Sequence, residues 1–366
     1  MTPQDRLAQS ERRRWRRPLG RLRYGAAQSL RVAWYAAHYA LVRRIEARAG
    51  PAPHAGGGGG EPIDREKVRA AFLELFEVDR ANIEAGLYPP PRDLDPRRLA
   101  RMLATSRAVL ADAEAVSARR RRKGGTEVRD RGRVLGRNGR FPPYYLQNFH
   151  YQTDGWLSAH SARIYDEQVE VLFTGAASAM RRAALAEVAR ELKGRDQRAA
   201  RLLDVGCGAG SFLVQTTDAF PRLDVEGVDL SPAYVEEAAR RLKHRPRARV
   251  REAAAETLPY DDGAFDIVVS VYLFHELPPR VRAIVAEEMA RVVRPGGLVV
   301  IADSIQPGDA PALDPMLEAF PNIFHEPFYK SYAETDLDAL WAKAGLVRER
   351  ETLAFLTKVR TYRKRG

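Results

Sequence analysis

Arg201-Leu202-Leu203-Asp204-Val205-Gly206-Cys207-Gly208-Ala209-Gly210-Ser211-Phe212 lies just past the middle of a 366-residue chain. A short apolar run ends in a carboxylate, three glycines follow at alternate positions, and a helical pattern then begins. This is how a buried parallel strand hands over to a helix through a turn that admits a ligand. Glycine reaches positive φ at little steric cost and has no Cβ to hold a ligand away from the backbone. Outward from this turn, strand-like and helix-like segments alternate, the pattern of a parallel sheet covered by helices on both faces. Strands are expected at Arg201–Val205, Asp224–Asp229, residues 249–252, Phe265–Val271 and residues 298–302. A helix over residues 336–344 precedes a last pair near 347–351 and 354–361, whose short connection suits an antiparallel hairpin. The expected fold class is α/β: a doubly wound, mostly parallel seven-stranded sheet with a helical N-terminal extension.

Later strand ends carry further signals. Asp229 closes the second strand about twenty residues beyond the turn, where a carboxylate can accept hydrogen bonds from both hydroxyls of a ribose. Ser231-Pro232 then opens a helix as cap and first-turn proline. The third strand exits into Ala255-Glu256-Thr257-Leu258-Pro259-Tyr260, and the fourth runs through Ser270 into Tyr272-Leu273-Phe274-His275-Glu276-Leu277. A nicotinamide dinucleotide is the competing ligand. Its folds favour G-x-G-x-x-G with the pyrophosphate on the helix N-terminus, whereas this chain has G-x-G-x-G, with Phe212 where a pyrophosphate would need room.

Asp204-Val205-Gly206-Cys207-Gly208-Ala209-Gly210, Gly227-Val228-Asp229, Glu256-Thr257-Leu258-Pro259-Tyr260, Phe265-Asp266-Ile267-Val268-Val269-Ser270 and Arg294-Pro295-Gly296-Gly297 resemble, in order and spacing, the class I S-adenosylmethionine-dependent methyltransferases with type 11/25-like domains. The resemblance covers residues 195–362. Upstream, Asn82-Ile83-Glu84-Ala85-Gly86-Leu87-Tyr88 and Asn148-Phe149-His150-Tyr151-Gln152-Thr153-Asp154-Gly155 look like pieces of a cyanobacterial and plastid methyltransferase group. The resemblance implies S-adenosylmethionine as cofactor. Asp204 would orient the turn and the methionine amino group, and Gly206, Gly208 and Gly210, with Cys207 among them, would let the backbone touch the cofactor. Asp229 would hold the ribose and Leu230 would lie against the adenine. Ala255 and Glu256 would line the adenine pocket, and Ser270 would face the transferred methyl. Many relatives place an Asp just before the Ala-Glu pair; here Ala254 stands there, so the adenine amino group must find Glu256, backbone or water.

The rest of the chain divides by composition. Residues 1–60 read as a basic arm, an amphipathic helix and a Gly-rich linker, and residues 61–140 as a helical region with a basic loop. Residues 141–194 read as an aromatic lid followed by two helices (161–173 and 176–192), and residues 195–366 as the S-adenosylmethionine-binding domain. Within the arm, residues 1–27 read as poorly ordered and residues 28–48 as a helix with Leu30, Trp34, Ala37, Leu41 and Ile45 in one stripe. Asp64 is placed to cap a following helix, Tyr88-Pro89-Pro90-Pro91 breaks it, and a second helix runs over residues 99–118.

The overall formal charge of +12 is uneven. Residues 1–50 hold twelve Arg against Asp5, Glu11 and Glu46, a net +9, and residues 119–140 carry a net +8. The remainder is mildly acidic, which argues against a nucleic-acid groove through the active site and for no specific nucleic-acid partner. The basic segments allow contact with anionic lipid or, non-specifically, RNA, or serve as a solubilising arm. Cys207 is the only cysteine, which excludes an internal disulfide and suits a reducing, cytoplasmic setting. No stretch approaches the roughly 18 apolar residues of a membrane span, and the N-terminus lacks the apolar segment of a signal peptide. The expectation is a cytoplasmic protein, with residues 1–50 a candidate peripheral membrane contact.

Methyl transfer is an in-line displacement at a sulfonium carbon, so positioning and desolvation dominate; a base is needed only for a nucleophile holding a proton of high pKa. His275 is the candidate base. Tyr151, Trp156, Tyr272 and His325 are the candidate acceptor contacts. The spacings of His150, His160, His275 and His325 suggest no metal set. The amino-methylating signature with two prolines after the fourth strand is missing, since that place reads Ser270-Val271-Tyr272-Leu273. Aromatics at 141–156 and 320–332 suggest an apolar small-molecule acceptor such as a quinone, lipid or secondary metabolite. A non-catalytic S-adenosylmethionine-binding interaction module and an NAD-dependent oxidoreductase are the alternatives.

Overall fold

The computed structural model describes residues 18–48, 63–92, 96–122, 124–129 and 140–366. The first part of the basic arm, the glycine run at 56–60 and most of the basic loop before residue 140 lie outside the described residues.

β1 (Arg201–Val205), β2 (Asp224–Asp229), β3 (Ala248–Glu252), β4 (Phe265–Val271), β5 (Val293–Ser304), β6 (Leu346–Ala354) and β7 (Thr357–Lys364) form one seven-stranded sheet. Its order is β3-β2-β1-β4-β5-β7-β6. All pairs are parallel except those of β7, which runs against both β5 and β6. The expected α/β sheet and its one antiparallel hairpin are therefore present. The hairpin differs in register from expectation: Ala354 ends β6 rather than opening the next strand, and Phe355 makes the turn at φ 57°.

β1 is apolar because both of its faces are covered. Leu202 joins Val225, Ile267 and Val300 in the core on one face, against Met180 and Leu185 of α5 (Ala177–Glu191). Leu203 joins Val228, Val268 and Val299 on the other, against Val285 and Met289 of α8 (Pro279–Val292) and Trp341 of α11 (Leu337–Lys343). α6 (Ser211–Ala219) and α7 (Pro232–Leu242) follow β1 and β2. α9 (Asp314–Ile323) and α10 (Tyr329–Ala333) fill the insertion after β5. Ser231 caps α7 as expected, its Oγ accepting from Tyr234 N at 3.3 Å.

Four helices precede α5: α1 (Pro18–Arg48), α2 (Arg65–Ala85), α3 (Pro96–Arg121) and α4 (Ala159–Leu172). Asp64 caps α2 as expected, accepting from Glu66 N and Lys67 N at 3.1 Å each. α1 begins ten residues earlier than the apolar stripe suggests, because its early anchor is polar. The Tyr24 hydroxyl is buried and donates to Asp79 of α2 at 2.5 Å. Tyr88 also donates to Asp79, at 2.8 Å, and Arg182 of α5 grips the same carboxylate through Nε and Nη2 at 2.8 and 2.6 Å. The core-facing side of α1 is Tyr24, Gln28, Tyr35 and His38. Leu30 and Leu41 of the expected stripe are 62% and 41% exposed. Among the described residues, no helix is long and apolar enough to cross a membrane.

Candidate functional site

The sheet order reverses direction between β1 and β4, and ligands of open α/β sheets bind outside the carboxyl ends of the strands at such a point. A cavity of about 150 Å³ lies there. Its floor is the glycine turn, with Gly206 and Gly208 at φ 74° and 53°. Asp229 fixes that turn. Its Oδ2 accepts from Gly208 N at 2.9 Å and its Oδ1 from Ser231 N at 2.8 Å, so one carboxylate joins the glycine turn to the start of α7. Burial pushes Asp229 up to about 6, against the pull of its backbone donors.

Asp204, at the end of β1, is different. Both of its carboxylate oxygens are buried and have no hydrogen-bond partner. Burial, reinforced by the Asp229 charge, raises its pKa to about 8, and Arg181 of α5 opposes the shift from nearby. Arg181 lines the same cavity. A buried carboxylate without a donor suits a cation, since an unsatisfied buried ionisable group is costly until paired.

The roof is the aromatic segment before α4. Trp156 stacks on Phe149 with centroids 4.2 Å apart and planes at 11°. It is latched to the sheet domain at three places: Ser231 Oγ donates to the Trp156 carbonyl, Gln152 Nε2 donates to the Tyr234 hydroxyl at 3.0 Å, and the Tyr144 hydroxyl donates to Glu256. Tyr144, Tyr145, Trp156, Tyr165 and Tyr272 give the cavity an aromatic wall. The Tyr145 hydroxyl is buried without a hydrogen-bond partner. Tyr272 stands at φ 60° and pairs through its hydroxyl with Thr357 Oγ1 at 2.6 Å.

Beside the cavity lies a buried charged cluster. His275 Nδ1 is 2.6 Å from Asp303 Oδ1, and Asp303 Oδ2 accepts from Phe274 N at 2.8 Å. Burial, the largest single influence, lowers the His275 pKa, but the carboxylates of Asp303, Glu276 and Glu326 together outweigh it and raise the imidazole to about 10. Arg282, 1% exposed, donates to the Phe274 and Phe328 carbonyls and to Ser331 and Thr335, joining this turn to the insertion. His150 Nδ1 approaches Glu326 Oε1 at 3.0 Å, and His150 Nε2 lies 3.7 Å from Glu276 Oε1. Burial is the main cause that raises Glu276 to about 7 and Glu326 to about 8.

Of the residues singled out from sequence, Asp204, Gly206, Cys207, Gly208, Asp229, Leu230, Ala255, Glu256, Trp156 and Tyr272 line one cavity. The others stand elsewhere. Gly210 lies behind the turn at the cap of α6, against Ala238. Ser270 is 1% exposed and donates to the Val205 carbonyl at 2.9 Å, so it ties β4 to β1 instead of facing the cavity. His325 Nε2 hydrogen-bonds the Gln147 side chain at 2.9 Å and its ring lies 5.7 Å from that of Tyr151, both away from the cavity. His275 is not part of the cavity lining: its Nδ1 is held 2.6 Å from Asp303 Oδ1, and its neighbour Glu276 lines the cavity instead. Arg181, Tyr165 and Tyr234 were not singled out from sequence. They sit on helices whose local pattern is ordinary, and only the packing of α4, α5 and α7 brings them to the turn.

A family model described as a methyltransferase domain matches residues 202–297, from β1 to the turn inside β5. Residues 202–297 are thus similar to a methyltransferase domain. Its relatives include the 2-methyl-6-phytyl-1,4-hydroquinone methyltransferase of Synechocystis sp., 37% identical over 109 residues, which is 30% of this chain and 33% of that protein. They also include the demethylmenaquinone methyltransferase of Staphylococcus aureus, 27% identical over 146 residues, 40% of this chain and 59% of that protein. The chain thus spans between a third and three fifths of the length of these two relatives. Among solved structures, a SAM-dependent methyltransferase from Aquifex aeolicus is similar at 20% identity with a TM-score of 0.38, covering 48% of this chain and 87% of that one. The matched region contains β2, β3 and β4 and the whole glycine turn, whereas the roof lies upstream of it.

Proposed function

We propose that this chain methylates a small, largely apolar acceptor of the hydroquinone class, with S-adenosylmethionine as methyl donor. The observation that carries the cofactor is Asp204: a buried carboxylate with both oxygens unpartnered, beside Arg181, in the cavity above the glycine turn. An α-amino-acid zwitterion matches that pair, its ammonium on Asp204 and its carboxylate near Arg181. Asp229 retains acceptor capacity for a ribose hydroxyl after holding the Gly208 and Ser231 amides. Leu230, Ala255 and Glu256 border the same space on the adenine side. When bound, the cofactor supplies an electrophilic methyl group. The chain's own residues orient, exclude water through the latched aromatic roof, and hold the acceptor against the wall of Tyr144, Tyr145, Trp156, Tyr165 and Tyr272. The printed activities of the two quinone-methylating relatives support the acceptor class.

Calorimetry of the purified chain with S-adenosylhomocysteine and with NAD tests the cofactor. Binding of the former and not the latter is expected, and the reverse overturns the proposal in favour of an oxidoreductase. Labelled S-adenosylmethionine with a panel of prenylated hydroquinones then tests the acceptor. Tight cofactor binding with transfer to no compound in the panel removes the hydroquinone class and favours a binding module.

An apolar acceptor is met at a lipid surface, and α1 carries a face suited to one. Leu19, Leu22, Leu30 and Leu41 are exposed along one side of this 31-residue helix, with Arg23 and Arg44 on the same side. Leucines can enter the headgroup boundary and arginines can meet anionic lipid. The chain is expected to co-sediment with anionic vesicles and the double variant L22E/L30E to remain in the supernatant; equal behaviour of the two removes α1 from the contact.

A further inference from the structure

Three separate segments bring ligand-type side chains together next to the cavity. His150 lies in the roof, in the short turn Phe149–Tyr151; Glu276 ends the turn Phe274–Glu276 after β4; Glu326 lies between α9 and α10 in the insertion. One donor atom from each lies within 4.8 Å of the others. The Glu326 side chain is fully buried, and neither of its oxygens has a hydrogen-bond partner. Glu276 Oε2 and His150 Nδ1 are likewise buried and unpartnered. The 3.0 Å approach of His150 Nδ1 to Glu326 Oε1 therefore lacks the alignment of a hydrogen bond.

The charges around the cluster sharpen its meaning. His275 is paired with Asp303 at 2.6 Å, and Arg120 is paired with Glu46 at 2.5 Å while lying over the Phe324 ring. The other face of the His275 ring, Nε2, lies 3.6 Å from Glu276 Oε1, so one imidazole serves two carboxylates while Arg120 is engaged by Glu46. Glu276 and Glu326 are two carboxyl groups crowded in a dry site beside the His150 and His275 rings, and both cannot be ionised there unaided. Burial of such a pair is costly without a counter-charge. A divalent ion supplies the missing charge and accepts the three unused lone pairs. One nitrogen and two carboxylate oxygens are a donor set for Mn²⁺, Fe²⁺ or Zn²⁺, whereas Ca²⁺ and Mg²⁺ favour oxygen alone.

The surroundings also hold the donors in place, as metal ligands require. Asp303 accepts from the Phe274 amide in the turn that carries Glu276, and Arg282 binds that turn to the segment after Glu326. His150 N donates to the His325 carbonyl at 3.2 Å, joining roof to insertion directly beside both ligands. Glu276 also lines the cavity.

We propose that His150, Glu276 and Glu326 bind one divalent transition-metal ion, which closes the roof and the insertion onto the end of β4 and presents open coordination positions to a hydroxyl or carbonyl oxygen of the acceptor. The ion site stands on the cluster alone; its role toward the acceptor rests on the methyltransferase reading above.

The test uses the untagged full chain after dialysis against a chelator, titrated with MnCl₂ or ZnCl₂ by calorimetry. One ion per chain is expected, together with a rise in thermal midpoint. Glu326→Gln, which keeps shape and removes charge, should weaken binding by more than about tenfold, as should His150→Ala. S-adenosylhomocysteine affinity measured on the same samples reports that each variant is folded and keeps the separate cofactor site. Wild-type protein that takes up neither ion, or a folded Glu326→Gln that binds as wild type does, overturns the proposal. Metal binding without S-adenosylhomocysteine binding would leave the ion site standing and remove the cofactor assignment. For the acceptor role, a hydroquinone that binds no more tightly to the Mn²⁺-loaded chain than to the metal-free chain removes that role and leaves the ion site.

Discussion

Two buried charged clusters in this molecule look alike by composition and differ in how they are completed. Around Asp79, two tyrosines and a bidentate arginine fill the carboxylate's acceptor positions, and α1, α2 and α5 are joined at one point. Around Glu276 and Glu326, carboxylate oxygens are equally buried and left without donors. Asp204 shares that second condition at the floor of the cavity. Native interiors satisfy nearly all their polar groups. Completed clusters are the joints of the fold; incomplete ones beside a cavity are where something else is bound.

The comparison can be broken at its completed end first. Asp79→Ala strands a buried guanidinium and two phenols, and should cost about 3–5 kcal/mol of stability, read as a lower urea midpoint. A loss below 1 kcal/mol would mean that the joint carries no special weight.

At the incomplete end, Asp204→Asn should weaken S-adenosylhomocysteine by about 1.5–3 kcal/mol, the worth of a hydrogen bond to a charged group, by calorimetry. Its pH dependence has a defined sign. Folded Asp204 keeps its proton to about 8, against 3.8 for the ordinary carboxyl. The folded chain therefore binds the extra proton between those values, and this group's contribution to ligand-free stability falls as pH rises through that window. An ammonium ligand needs the ionised form, so affinity should rise with pH between about 6 and 8. Asp204→Asn should flatten both slopes; unchanged slopes would remove Asp204 from the site.

Glu326→Gln should act opposite to Asp79→Ala. Replacing a buried carboxyl that has no hydrogen-bond donor by a neutral amide should raise the stability of the metal-free chain by about 1–2 kcal/mol, by urea denaturation, and a loss of stability would count Glu326 among the completed joints. The smallest effect is expected at Ser270. Ser270→Ala leaves the Val205 carbonyl without its donor and should cost about 1 kcal/mol, with S-adenosylhomocysteine affinity unchanged because the hydroxyl faces β1.

Much of the sheet was legible in the sequence because a strand covered on both faces must be a continuous apolar run, and because its ends carry turn chemistry in fixed order. Arg201–Val205, Asp224–Asp229 and Phe265–Val271 have the bounds their patterns suggest. Asp64 and Ser231 were readable as caps because capping depends on a side chain and the amides two or three residues on. α1 was readable only in part, since its anchoring residues are Tyr24, Gln28 and His38 and its leucines face outward.

By itself, then, the sequence determined the strand order of motifs, the glycine turn with Asp204 and Asp229 beside it, and the aromatic character of the segment that roofs the cavity. These follow from local spacing and from the backbone geometry that glycine and the caps allow. Tertiary structure alone decided which polar side chains meet. It turned Ser270 toward β1, locked His275 onto Asp303, brought Arg181 to Asp204, and gathered His150, Glu276 and Glu326 from positions 126 and 50 residues apart. Side-chain partnership across such separations depends on the packing of helices and loops, and one-dimensional spacing carries no record of it.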